Sequence, residues 1–245
     1  MKLKNTYGFM ILVLLIASCD KSSSPDCFKR TGATETVTRT LLPFNTIVLD
    51  ANIEVTLENG TEYKAEITGG ANILDKVKTS VESGSLTIDN TNQCNFVRGY
   101  NHKITMRVFS PNFKYVVTNS IGNILTSKNF IQDTISVRSE GGDITLYGTY
   151  NQISTSSHGN GNVYLKGTTN RLFTYMNGTN YLYANEGTIT SYVFIENVSL
   201  ANAYINAPNG GTLDYHIWKS GNIYYKGDPA SVSGKIDGKG ALIKE

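Results

Sequence analysis

Apolar and polar residues alternate with a period of two along most of the chain, the pattern of strands with one buried face. Thr46-Ile47-Val48-Leu49-Asp50 opens it and Ile53-Glu54-Val55-Thr56-Leu57 continues it. Glu58-Asn59-Gly60-Thr61 reads as a hairpin turn, with Tyr63-Lys64-Ala65-Glu66-Ile67 as the returning strand. Ser80 to Ile88 reads as strand, turn and strand about Ser83-Gly84. Lys103 to Val108 alternates again before Pro111-Asn112 breaks the run. Helical periodicity is almost absent after the first residues, and Asn72 to Val77 is too short to predict a helix.

From residue 119 a repeat begins. Gly122-Asn123-Ile124, Gly142-Asp143-Ile144, Gly161-Asn162-Val163 and Gly221-Asn222-Ile223 are versions of one corner. Thr179-Asn180-Tyr181 is a degenerate fifth and Val198-Ser199-Leu200 a weak sixth. The starts recur at intervals of about 20 residues, as in a stacked repeat. The widest interval holds Asn206 to Gly211, read as an inserted loop. Short strands at this pitch bury a face only by stacking on their equivalents. The pattern therefore predicts an all-β chain whose repeats form a parallel β-solenoid of about six coils. A β-sandwich is the alternative, and recurrence of a single corner motif favours the solenoid.

This reading makes register testable. Ile124, Ile144, Val163, Tyr181 and Ile223 should point inward, as should Thr126, Leu146, Leu165, Tyr183 and Tyr225. Leu125, Thr145, Tyr164, Leu182 and Tyr224 should point outward. The corner glycines are expected to supply positive φ.

The opening residues are a targeting signal. Lys2 and Lys4 precede an apolar run from Phe9 to Ala17, well short of the roughly 20 residues that span a bilayer. The run ends in Ile16-Ala17-Ser18-Cys19, a lipobox pattern that predicts cleavage of residues 1–18 and lipidation, including palmitate, at Cys19. Residues 19–36 read as a polar tether, 37–118 as an N-terminal β region and 119–245 as the solenoid, with 37–245 one continuous domain. Lys and Arg total 22 against 20 Asp and Glu. The leader holds two lysines and no acid, so the processed chain is balanced and has no general attraction for nucleic acid. Cys27 and Cys94 are a candidate disulfide in an oxidising compartment; two free thiols are the alternative, and their separation does not choose.

Several stretches follow one another as they do in a known family. Phe44-Asn45-Thr46-Ile47, Ala71-Asn72-Ile73-Leu74, Gly84-Ser85-Leu86-Thr87-Ile88 and Ser110-Pro111-Asn112-Phe113 come first. The Gly-Asn-Ile repeats, the run from Gly221 to Pro229 and Gly238-Lys239-Gly240 complete the pattern. Over roughly residues 40 to 243 the chain resembles the putative auto-transporter adhesin head GIN domain, common in lipoproteins of Bacteroidetes. The resemblance implies a right-handed β-helix entered through an N-terminal β-sheet region, and it brings no catalytic residues. The chain departs from it at Thr179 and Val198, where a corner glycine is missing.

Chemistry is sparse. His102, His158 and His216 show no metal-ligand spacing, and no nucleophile elbow or phosphate loop occurs. Acidic residues do not recur in register, as a polysaccharide-degrading β-helix enzyme would need. No catalysis, metal or cofactor is expected. Tyrosines number 15, phenylalanines 9 and tryptophan 1. Tyr164, Phe173, Tyr175, Trp218 and Tyr224 are the candidate glycan-contact aromatics. The sequence thus predicts a cell-envelope lipoprotein, held in the outer membrane in preference to the inner through Cys19, that binds polysaccharide or a surface protein as an adhesin. A purely structural envelope scaffold is the first alternative and a polysaccharide-degrading β-helix enzyme the second.

Overall fold

A computed structural model describes residues 30–92 and 103–245. The leader, Cys19, Cys27, Cys94 and His102 lie outside the described residues.

The first strands are β1 (Thr34–Thr40), β2 (Thr46–Leu49), β3 (Glu54–Asn59) and β4 (Lys64–Gly70). A single 3-10 turn, Leu74–Lys76, precedes β5 (Val77–Glu82) and β6 (Ser85–Asn90). Then come β7 (Thr105–Ser110), β8 (Tyr115–Thr118) and β9 (Asn123–Thr126). The repeats alternate long and short strands: β10 (Ile131–Ser139), β11 (Ile144–Leu146), β12 (Thr149–Ser157), β13 (Val163–Leu165), β14 (Thr168–Gly178) and β15 (Leu182–Ala184). They continue as β16 (Thr188–Ser199), β17 (Ala203–Asn206), β18 (Thr212–Ile217), β19 (Ile223–Lys226), β20 (Ser231–Ile236) and β21 (Leu242–Lys244). Among the described residues no helix is long and apolar enough to cross a membrane.

These strands make two facing sheets. Sheet A is 11-stranded in the order β1-β4-β7-β3-β9-β11-β13-β15-β17-β19-β21, and sheet B is 10-stranded in the order β20-β18-β16-β14-β12-β10-β8-β2-β6-β5. Every neighbour from β9 onward in sheet A and from β8 onward in sheet B is parallel. The chain is therefore a β-solenoid, as the repeat predicts, and not a sandwich, whose sheets are antiparallel. β2 and β3 stack in parallel on β8 and β9, so the residues before 119 extend the same two sheets. Antiparallel strands close that end, with β1 and β4 on sheet A and β5 on sheet B.

The hairpin expected at Asn59-Gly60 does not form. β7 lies between β3 and β4, parallel to one and antiparallel to the other. Its inward Met106 and Val108 match Val55 and Leu57 on one side and Ile67 and Ala65 on the other, all nearly sealed from solvent. Its outward Arg107 bonds both oxygens of Glu58, at 2.7 and 2.9 Å, and Glu66 at 2.9 Å. The inserted strand thus supplies buried apolar area and separates two carboxylates. The turn at Ser83-Gly84 does join β5 to β6, with positive φ at both residues.

Register follows the expectation in four coils and slips in one. Ile124, Ile144, Val163 and Ile223 form one buried column of sheet A. In the fourth coil Leu182, not Tyr181, pairs with Val163, and Tyr183 pairs with the outward Tyr164. Tyr181 and Tyr183 therefore face out and Leu182 is buried. The cause is the corner residue, which is Asn180 and not Thr179. In the fifth coil the corner is Ala201, three residues beyond Val198, so Ala203 takes the inward place.

The corner glycines also act for a different reason than expected. Gly122, Gly142, Gly161 and Gly221 do not have positive φ. At Gly142 a Cβ would overlap the carbonyl of Gly122 one coil below. Successive corners touch backbone to backbone, which leaves no room for a side chain. Buried hydroxyls satisfy the carbonyls there: Thr118 donates to Gly122 at 2.8 Å and Ser139 to Gly142 at 2.7 Å. Asn180, fully buried, donates instead to the carbonyls of Asn177 and Gly159 at 2.7 and 3.0 Å.

Between the sheets the core is aliphatic, with Ile135, Ile153, Leu172, Val193 and Leu213 in register along sheet B. At the opposite corner an aromatic column runs through Phe44, Phe113, Phe130 and Tyr150, with ring centroids 6.3, 5.5 and 5.9 Å apart. The Tyr150 hydroxyl donates to the carbonyl of Tyr147 at 2.6 Å, and burial pushes its pKa up, so the phenol stays neutral.

Candidate functional site

The outward faces of the sheets differ in kind. On sheet A each repeat places two residues side by side: the corner residue's successor and, two positions on, the centre of the short strand. In coils three, five and six these are Asn162 and Tyr164, Asn202 and Tyr204, and Asn222 and Tyr224. Parallel pairing without register shift aligns them into columns. The rings of Tyr164, Tyr183, Tyr204 and Tyr224 stack with centroids 5.0, 5.6 and 5.1 Å apart and planes within 11° of parallel. Near-parallel rings at this spacing form one continuous row along the axis. All four are half-buried.

The asparagines brace this ladder. Asn162 Oδ1 accepts the Tyr181 N–H at 2.9 Å, Asn202 Oδ1 that of Asn222 at 2.9 Å, and Asn222 Oδ1 that of Ala241 at 2.9 Å. Their Nδ2 groups donate to the hydroxyls of Tyr164, Tyr204 and Tyr224 at 3.4, 3.2 and 3.0 Å. Asn123 and Asp143 continue the column downward by accepting the N–H groups of Asp143 and Asn162 at 3.0 and 2.8 Å. Tyr181 interrupts it and stacks on Tyr183 at 5.7 Å. Tyr183, crowded by burial and by its tyrosine neighbours, has its pKa raised above the ordinary phenol value. The Tyr183 hydroxyl therefore stays neutral.

Sheet B carries Phe173, Tyr175 and, at its margin, Trp218. The Arg171 guanidinium lies over the rings of Phe173 and Tyr192 at 5.0 and 5.6 Å. Tyr192 donates to Asp214 at 2.9 Å, and Tyr175 sits beside His158, 5.5 Å ring to ring. Trp218 is 45% exposed, stacks on His216 at 3.9 Å and donates its indole N–H to Glu196 at 3.0 Å. Asp237 bridges His216 and Lys235, each at 2.8 Å, and the bond from Lys235 leads in holding its carboxyl below the usual range. This face is a mosaic of ion pairs and separate rings. Among the described residues no three of His, Cys, Asp and Glu converge as a metal site.

The five aromatics singled out from sequence thus divide. Tyr164 and Tyr224 are end rungs of one ladder, and Phe173, Tyr175 and Trp218 lie on the other sheet. Sequence reasoning missed Tyr183, Tyr204 and the three bracing asparagines. The signal was present as Asn-x-Tyr, repeated at 162–164, 202–204 and 222–224. It was obscured at Tyr183 by the one-residue slip in coil four.

Comparison with known proteins agrees with this architecture. A crystal structure of a putative adhesin from Bacteroides fragilis superposes with a TM-score of 0.75 at 20% identity, over 87% of this chain and 97% of that one. A putative lipid binding protein from Parabacteroides distasonis gives 0.59 at 20% identity, over 87% and 97%. A putative adhesin from Parabacteroides merdae gives 0.59 at 21%, over 88% and 98%. At these identities the likeness is one of fold. No curated protein matches. The model of the family described as putative auto-transporter adhesin, head GIN domain, matches residues 43–229. The chain belongs to that family.

Proposed function

We propose that this protein is a non-catalytic adhesin of the bacterial cell envelope, lipid-anchored at Cys19, that holds glycan on the tyrosine face of sheet A. The observation that carries the reading is the ladder: four aromatic rungs in register, three of them braced by asparagine, with no charged side chain in either column through the third to sixth coils. Sugar C–H groups pack on aromatic surface and sugar hydroxyls bond phenols and amides, so such a face suits a carbohydrate. Membership of an adhesin family supports it. One observation favours the structural reading instead: the same stacking ties coil to coil, so the tyrosines stabilise the column whether or not anything binds.

Affinity electrophoresis separates the two. The full chain in detergent, run through gels holding a panel of host and bacterial polysaccharides, is expected to be retarded by one glycan class with no release of reducing ends. Free migration in every gel would remove glycan binding and leave the scaffold. Retardation with new reducing ends would make the protein an enzyme.

A further inference from the structure

We infer that the ladder reads an extended, neutral β-1,4-linked polysaccharide lying along the solenoid axis, one pyranose to each coil. This rests on the glycan reading above and specifies its ligand. Three features of the face argue for it.

The first is pitch. The rungs follow one another at 5.0, 5.6 and 5.1 Å, set by the spacing of adjacent parallel strands. A β-1,4-linked pyranose chain is a straight ribbon whose rings repeat at about that distance. An α-1,4- or β-1,3-linked chain curves and leaves a straight row after a few residues. Four rungs in line therefore match a tetrasaccharide stretch of a straight glycan.

The second is hydrogen-bonding capacity. Each hydroxyl of Tyr164, Tyr204 and Tyr224 already accepts an asparagine N–H. Its own proton is left to donate outward, and sugar hydroxyl oxygens are suitable acceptors. Stacking and bracing hold the side chains in place before any ligand arrives, so little ordering is needed on binding.

The third is charge. The tyrosine and asparagine columns carry no ionised group from coil three to coil six. The lysines at the flank are paired, Lys166 with Glu186 at 3.3 Å and Lys226 with Glu245 at 3.8 Å. A uronic acid or sulfated polymer would find no cation aligned with it. Sheet B, with Arg171 over the rings of Phe173 and Tyr192 and Asp237 paired to His216 and Lys235, lacks this regular neutral row.

The test is calorimetric titration of the full chain in detergent with neutral β-1,4-linked gluco-, manno- and N-acetylglucosamine oligosaccharides, from disaccharide to hexasaccharide. β-1,3- and α-1,4-linked series serve as controls. Affinity for one β-1,4 series should rise with each residue up to the tetrasaccharide, then level off, and change less than twofold between low and high salt. Tyr204→Phe keeps the ring stack and removes one hydroxyl. It should weaken the tetrasaccharide about three- to tenfold, the worth of one hydrogen bond, while the chain stays folded with only a small drop in melting temperature from the lost Asn202 bond. Equal binding of disaccharide and hexasaccharide, a preference for a curved series, or full affinity in Tyr204→Phe would overturn the ladder mode while glycan retention in gels still stood. Failure of every sugar in both experiments would remove the broader reading as well.

Discussion

Phe113→Ala is expected to cost about 3–5 kcal/mol of folding stability, the usual range for deleting a buried phenylalanine. Phe113 is completely buried and is the middle of the aromatic column, with Phe44 at 6.3 Å and Phe130 at 5.5 Å. Its position joins the N-terminal strands to the first repeats, because it precedes β8, on which β2 and β10 both stack. Removing the ring empties a fully buried site between Phe44 and Phe130, where close packing limits collapse. Chemical denaturation measures the loss directly through the midpoint. A change below about 1 kcal/mol would show that the column is not the keystone described, since a well-filled aromatic site does not lose its ring so cheaply.

The second large effect is at a corner. Gly142→Ala is expected to destabilise by about 2–3 kcal/mol or more, in the range for forcing atoms into a packed interior. Its Cβ would overlap a backbone carbonyl, which cannot swing aside as a flexible side chain can. The fifth coil supplies the contrast. Ala201 occupies the equivalent corner and is accommodated there. Ala201→Gly removes a methyl from a position that tolerates one, so it should cost less than about 1 kcal/mol, mainly from greater freedom of the unfolded chain. Thermal melts of the two variants check the pair. Equal shifts in both would mean that corner contacts do not govern the spacing of the coils.

The corner pattern shows how far the sequence could be read. Gly122, Gly142, Gly161 and Gly221 announce their coils because a Cβ at each would overlap backbone of the neighbouring coil. Coils four and five are harder because Asn180 and Ala201 solve the same contact differently. Asn180 uses its own amide to bond the corner carbonyls, and such a solution has no fixed spelling. The error this causes is one residue, but in a strand one residue exchanges the faces. That exchange puts Tyr183 on the outer face, in line with Tyr164, where the glycine spacing alone predicts it inside.

Non-local pairing is the other limit. Asn59-Gly60 carries a strong hairpin signal, and the flanking segments are strands as the alternation predicts. What local chemistry could not show is that β7, 46 positions beyond the start of the turn by chain number, fits between β3 and β4. Its match of Met106 and Val108 to both neighbours is a property of three distant segments together. The candidate site was half legible for a related reason. Tyr164 and Tyr224 follow corners that the repeat reveals, whereas Phe173 and Tyr175 belong to a longer strand of the other sheet and Trp218 just follows one, where no corner fixes which residues align.

The central claim is that sheet A, through its tyrosine ladder, is the surface that meets glycan. The most direct measurement is nuclear magnetic resonance of the isotope-labelled chain titrated with the glycan that retards it in gels. Binding as described shifts the ring resonances of Tyr164, Tyr183, Tyr204 and Tyr224 and the side-chain amides of Asn162, Asn202 and Asn222, and leaves the Trp218 indole N–H in place. A shift of the Trp218 indole with the ladder unmoved would contradict the claim and transfer the site to the margin of sheet B.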